Sequence, residues 1–196
     1  VLNLTVSYKY VKTMEVVKRP SQYFVNSIAD KWEAFFNLKL ELHVSPFYKL
    51  GDVYMYQPVF DFDGPDAKFG LDQFISMFPK VKSPPWYLEY SGVGIHLFSV
   101  YAYGPIKKAE IIEFRKQVRD RLNIASSFDI TSSIRDLPIR RLPSVNSLGT
   151  EMMVPCTLTK CMHPEQNNRD TIKNWVLNYT LPSKLKHVSN FWQDLT

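Results

Sequence analysis

Across residues 21–40 apolar side chains recur at Phe24, Ile28, Trp32 and Phe35 or Phe36. That three-to-four spacing predicts a helix with one buried face, opened by Ser21 after Pro20. From Asp52 the period drops to two. VYMYQPVFDFD, bounded by Gly51 and Gly64-Pro65, is β-branched and aromatic and predicts a strand with Asp63 near its end. A short helix is expected over Leu71 to Phe78, followed by a proline-rich surface loop, PKVKSPPW. WYLEY and IHLFSVYAY, joined by SGVG, predict two strands about a glycine turn. Helical spacing returns from Lys107 to Leu122, with Ile111, Phe114, Val118 and Leu122 facing inward and Lys108, Arg115 and Arg119 elsewhere on the surface. SFDITSS and EMMVPCTL predict two further strands separated by a loop, RDLPIRRLPSVN. Helices over Asp170 to Asn178 and Ser183 to Leu195 close the chain.

Strands and helices are mixed here without a regular βαβ alternation. The expected fold class is therefore α+β, with a largely antiparallel sheet and flanking helices. A chain of 196 residues suits one domain with a real core, and no repeat or linker divides it, so 1–196 is expected to be a single domain. A hydrophobic fraction of 45% and an aromatic fraction of 14% exclude a disordered or low-complexity protein. Charge and proline interrupt every apolar run well before the ~18 residues of a membrane span, and no basic-then-apolar leader opens the sequence. A cytoplasmic or nucleoid-associated location is expected, not a secreted one. Cys156 and Cys161 do not make a disulfide framework and are expected as two thiols in a reducing compartment. The net charge of +5 and pI near 9.1 lean mildly toward a polyanionic partner. The basic surface of the 107–122 helix reads first as solubility.

The candidate chemistry begins at VFDFDG. Residues two apart on a strand share a face about 6 to 7 Å apart, so the carboxylates of Asp61 and Asp63 converge. Such a pair repels unless one stays protonated or a cation offsets the charge. Hard oxygen ligands suit magnesium or manganese rather than zinc. A DxD alone is weak evidence and reads as a solvated strand end until other residues join it. A third carboxylate on a neighbouring strand would supply a two-metal site for phosphoryl transfer. Asp129, in the apolar context SFDI, is the candidate, and Asp136 in the following loop is its competitor. In SGVGIH, Gly92 and Gly94 allow a sharp turn and a close backbone approach, while Ser91 and His96 offer a hydroxyl and an imidazole to phosphate oxygens. Arg140 and Arg141 offer guanidinium groups able to grip a triphosphate.

In order and spacing, VFDFDG, SGVGIH and FDITSSIRDLPIRRLPSVNSLGTEMMVP resemble the three motifs of the archaeo-eukaryotic primase superfamily, which includes primase small subunits and primase-polymerases. The third motif carries most of the resemblance. Asp129, Arg141, Pro143, Ser144-Val145-Asn146 and Val154-Pro155 fall in the family register, with about one residue fewer after Pro143, and this favours Asp129 over Asp136. The likeness spans about residues 53–155. It implies an RNA-recognition-motif-like catalytic sheet on which Asp61, Asp63 and Asp129 hold two Mg2+ or Mn2+ ions. It implies further that Ser91, His96 and Arg141 contact the incoming nucleotide, and that a primer or initiating hydroxyl attacks the α-phosphate. Implied partners are a DNA template and primer and nucleoside triphosphates, with a helicase or helical template-binding module on this chain or another. The chain departs from the pattern at Leu148-Gly149-Thr150, where many members carry a lysine in a KTG-like turn. One phosphate contact is missing there, and Arg140, Arg141 or Lys160 are candidates to replace it.

Two rival readings use the same residues. A haloacid-dehalogenase-like phosphatase would employ Asp61 as nucleophile, but Pro65 stands where such enzymes usually have threonine, and no GDxxxD follows. A non-catalytic primase-like subunit would only bind nucleic acid. Zinc is not expected, because Cys156, Cys161 and His163, with His187 as a fourth group, lack a strong ligand spacing.

Overall fold

The structure, a computed structural model, describes residues 4–21, 28–122, 128–129, 137–159 and 168–196, and for 28–30 and 128–129 the backbone alone. Strict alternation shapes the amino-terminal part, where Val6 and Tyr8 of β1 (Thr5–Tyr10) are buried while Ser7 and Lys9 take the other face. With β2 (Val16–Pro20), β3 (Leu40–Val44) and β11 (Ile139–Arg141) it forms a fully antiparallel sheet ordered β11-β3-β1-β2. The apolar face of this sheet packs on Trp32 and Phe35 of α1 (Ile28–Phe36) and on Ile172 of α4 (Arg169–Trp175). Trp32 and Phe35 are fully buried, as the three-to-four spacing predicts. Phe24 lies outside the described residues.

The second sheet is also antiparallel throughout, in the order β10 (Phe128–Asp129), β6 (Val59–Phe62), β8 (Ile95–Ser99), β7 (Trp86–Tyr90) and β12 (Val154–Cys156). Phe60, Phe62, Leu88 and Leu97 point to one face and pack on Leu71 and Phe74 of α2 (Ala67–Met77). The opposite face holds a small apolar cluster of Val59, Phe98 and Ile139 beside a row of polar side chains. A third sheet orders β13 (Lys184–His187), β9 (Tyr101–Lys107), β5 (Val53–Tyr56) and β4 (Phe47–Leu50), parallel only between β13 and β9. Tyr56 meets Phe114 of α3 (Ile111–Arg121) and Phe191 of α5 (Asn190–Leu195) edge-on in its core.

Mixed α+β structure with mostly antiparallel sheets is thus observed, and four local expectations are corrected. The strand predicted from Asp52 to Asp63 breaks at Gln57-Pro58, and its halves join different sheets. Pro58 cannot donate to a ladder, and the buried Gln57 turns its amide to the Ser99 carbonyl (2.9 Å) while accepting from the Tyr48 hydroxyl (3.0 Å). IHLFSVYAY is likewise divided at Val100 between β8 and β9. The expected loop RDLPIRRLPSVN contains β11, where Ile139 and Arg141 alternate with the more open Arg140. Lastly, 183–195 is a strand followed by a short helix, not one helix. Among the described residues no helix is long and apolar enough to cross a membrane.

Candidate active site

Asp61 lies within β6 and Asp63 one residue beyond its end, yet both line one cavity of about 300 Å³ together with Ser91, His96, Ile139 and Arg140. Asp63 is exposed and accepts the Gly64 amide at 2.8 Å, while the Asp61 side chain is 22% exposed. Directly opposite residues in an antiparallel ladder share a face. On one side of β6, position 129 pairs with Asp61, and on the other Asp61 pairs with His96, which in turn pairs with Glu89. A single row across four strands therefore runs 129, 61, 96, 89. Asp136 lies outside the described residues.

Behind this row is a buried ionic chain. Glu89 and Arg141 are both wholly inaccessible, and the Arg141 Nε donates to Glu89 Oε1. Glu89 Oε1 also lies 2.9 Å from His96 Nδ1. An ionised carboxylate can only accept, so Nδ1–H is the donor to Glu89, and Nε2 faces Asp61 Oδ1 at 3.5 Å, too long for a firm hydrogen bond. Burial alone would raise the Glu89 carboxyl, but the Arg141 charge and the His96 and Arg141 hydrogen bonds outweigh it and hold Glu89 below the usual carboxylate range. The Arg141 guanidinium also lies over the Phe98 ring, 4.1 Å from its centroid.

Arg141, expected to contact a triphosphate, is thus fully enclosed and absent from the cavity wall. Its neighbour Arg140, whose side chain is partly exposed where that of Arg141 is enclosed, is the arginine that lines the cavity. Glu89 was not among the expected site residues. Its signal was a carboxylate inside the apolar strand WYLEY, a burial tolerated only with a partner, but the partner lies 52 residues away.

The glycines of SGVG serve a different purpose from the ligand approach expected of them. A Cβ on Gly94 would sit 2.6 Å from the Phe62 carbonyl and 3.2 Å from the Asp63 Cα, and one on Gly92, whose φ is +99°, would strike Asn146. They let the second motif press against the first and third. Ser91 closes this turn: its amide donates to the Gly94 carbonyl at 2.8 Å, and its hydroxyl accepts the Gly94 amide at 3.1 Å. The Ser147 amide donates to the Ser91 carbonyl at 2.7 Å, bringing the third-motif turn alongside. Leu148 is exposed. Gly94→Ala is expected to push the Phe62–Asp63 backbone away and destabilise the fold by about 1–3 kcal/mol, as overpacking does, measured by urea unfolding; unchanged stability would show that the contact is dispensable.

No family model matches this chain, and no curated protein matches it. The site is therefore read from its own residues. The donors on the cavity wall are carboxylate oxygens and an imidazole, and the two carboxylates fit a hard divalent cation. Among the described residues no three His, Cys, Asp or Glu side chains form a group able to hold a metal; the backbone at 129 pairs with that of Asp61. Cys156 is in a disulfide, which corrects the expectation of two thiols and removes its sulfur from any thiolate site. Cys161, His163 and Lys160 lie outside the described residues.

Proposed function

We propose that the chain is a template-dependent nucleotidyltransferase, a primase-polymerase of the archaeo-eukaryotic primase type. The observation that carries this reading is the register of β10, β6 and β8, in which the DxD, the serine-to-histidine motif and the third-motif aspartate, far apart in sequence, adjoin on one sheet. The finer architecture, an RNA-recognition-motif-like catalytic sheet, belongs to the same proposal. Antiparallel strands with α2 on one face and the acidic row on the other support it.

In this mechanism Asp61, Asp63 and Asp129 would hold two Mg2+ or Mn2+ ions. When bound, such ions offset the charge on the attacking and leaving oxygens of an in-line phosphoryl transfer. The 3′-hydroxyl of the primer, losing its proton to solvent, forms a bond to the α-phosphorus while the bond to the β-phosphate oxygen breaks and pyrophosphate leaves. The protein contributes position and charge. Glu89 fixes the tautomer and orientation of His96, whose Nε2 edge faces the cavity, and Arg140 takes the triphosphate contact for which Arg141 is too deeply buried.

The test is extension of a primed single-stranded DNA template with nucleoside triphosphates and Mn2+. Template-directed products are expected, and their complete absence with both ribo- and deoxynucleotides would overturn the proposal. Arg140→Ala is expected to raise the KM for nucleotide about tenfold, the value of one charge-assisted hydrogen bond, with kcat little changed. Equal nucleotide KM in variant and wild type would remove Arg140 from the site.

A further inference from the structure

A second polar row crosses the four-stranded sheet. Cross-strand register aligns Lys18 with Ser7, Ser7 with His43, and His43 with Arg140. Residues directly opposite share a face, and this face is the reverse of the one carrying Val6, Tyr8 and Leu42 into the core. At strand spacings of about 4.8 Å the row is about 14 Å long. It borders a second cavity of about 240 Å³, to which β4 adds Lys49. Pro138 lines both this cavity and the one at Asp61, so the two adjoin.

The charges along this groove are unbalanced. Its carboxylate, Glu41, is already engaged, with Oε2 2.9 Å from His43 Nε2 and Oε1 3.7 Å from Arg140 Nε. Lys18 and Lys49 are exposed, and among the described residues neither has a carboxylate partner. Cations flank a concave polar floor that includes the Ser7 hydroxyl, the combination that attracts phosphate groups. A groove that runs on into a second cavity suits a chain of phosphates better than a single one.

We infer that this groove binds the phosphodiester backbone of a single-stranded polynucleotide and leads it past Arg140 toward Asp61. That the strand is a template or primer rests on the catalytic reading above; its binding does not. The experiment is anisotropy of a labelled oligothymidylate in EDTA without nucleotide, across a salt series, comparing wild type with the double variant Lys18→Ala/Lys49→Ala. Loss of two phosphate contacts is expected to lower the slope of log K against log salt by about 1.4 and to weaken binding about tenfold at low salt. Inorganic pyrophosphate is expected to compete poorly. An unchanged slope and affinity would overturn the inference, as would pyrophosphate displacing the oligonucleotide as effectively as an unlabelled oligonucleotide does, which would make the groove a site for free phosphates. Lysine-dependent binding without any extension activity would sink the catalytic reading alone, and normal extension with lysine-independent binding would sink the groove alone.

Discussion

Asp61→Asn is expected to reduce nucleotide incorporation by about 10³-fold or more while leaving the protein folded. The substitution keeps size and shape but removes the charge at the centre of the row, between position 129 and His96. On the proposed two-metal mechanism a cation held there would supply several kcal/mol of transition-state stabilisation, and each 1.4 kcal/mol is a factor of ten in rate. Stability should change little, because asparagine has nearly the volume of aspartate and the side chain lines a cavity where it is partly exposed. Primer extension by the purified variant, with its thermal melting curve beside it, checks both halves. Extension at the wild-type rate by the asparagine variant would end the two-metal account of this site.

Glu89→Ala should fail in the opposite way, as a folding defect first. The residue and its partner Arg141 are both completely buried, and removing one member of such a pair strands the other charge at a cost of about 3–5 kcal/mol. The Phe98 ring lies under the guanidinium before and after the substitution, so it does not replace the lost carboxylate. Replacing both members, as Glu89→Leu with Arg141→Met, is expected to restore most of the stability but not the activity, since nothing then orients His96. Recovery of both would reduce Glu89 to a packing residue. Acid exposes the same link. Glu89 titrates below its ordinary value in the folded state, so its contribution to stability is complete above that ordinary value, near 4.5, and is lost as pH falls through the lowered one. His43, held low chiefly by burial although Glu41 opposes it, adds to acid loss from its ordinary value of 6.5 downward. Wild type should therefore lose stability on acidification more steeply below pH 4.5 than Glu89→Gln, as urea unfolding at several pH values would show.

The parts of this site that could be read from the chain are those encoded locally. Period-two alternation around Asp61 and His96 places each on a strand, and the trio of motifs carries the resemblance that pairs Asp61 with Asp129. Helical spacing likewise marks Trp32 and Phe35 as buried. Local pattern misled where a strand changes sheets, as at Gln57-Pro58, because an apolar alternation says that a segment is extended and not which neighbour it will pair with.

What the sequence by itself determined was the residue types and their alternation: two aspartates two residues apart on an extended segment, a histidine opening another, and glycines that permit tight approach. Which arginine meets the cavity was decided only in three dimensions. Arg140 and Arg141 are adjacent and chemically identical, and the pairing of β11 with β3 turns one outward to the site and the other inward to Glu89. The same holds for the groove of Lys18 and Lys49, which come from segments about 30 residues apart. Side-chain type is a property of the chain, but the electrostatic field of a site depends on distances and burial that long-range strand pairing alone sets.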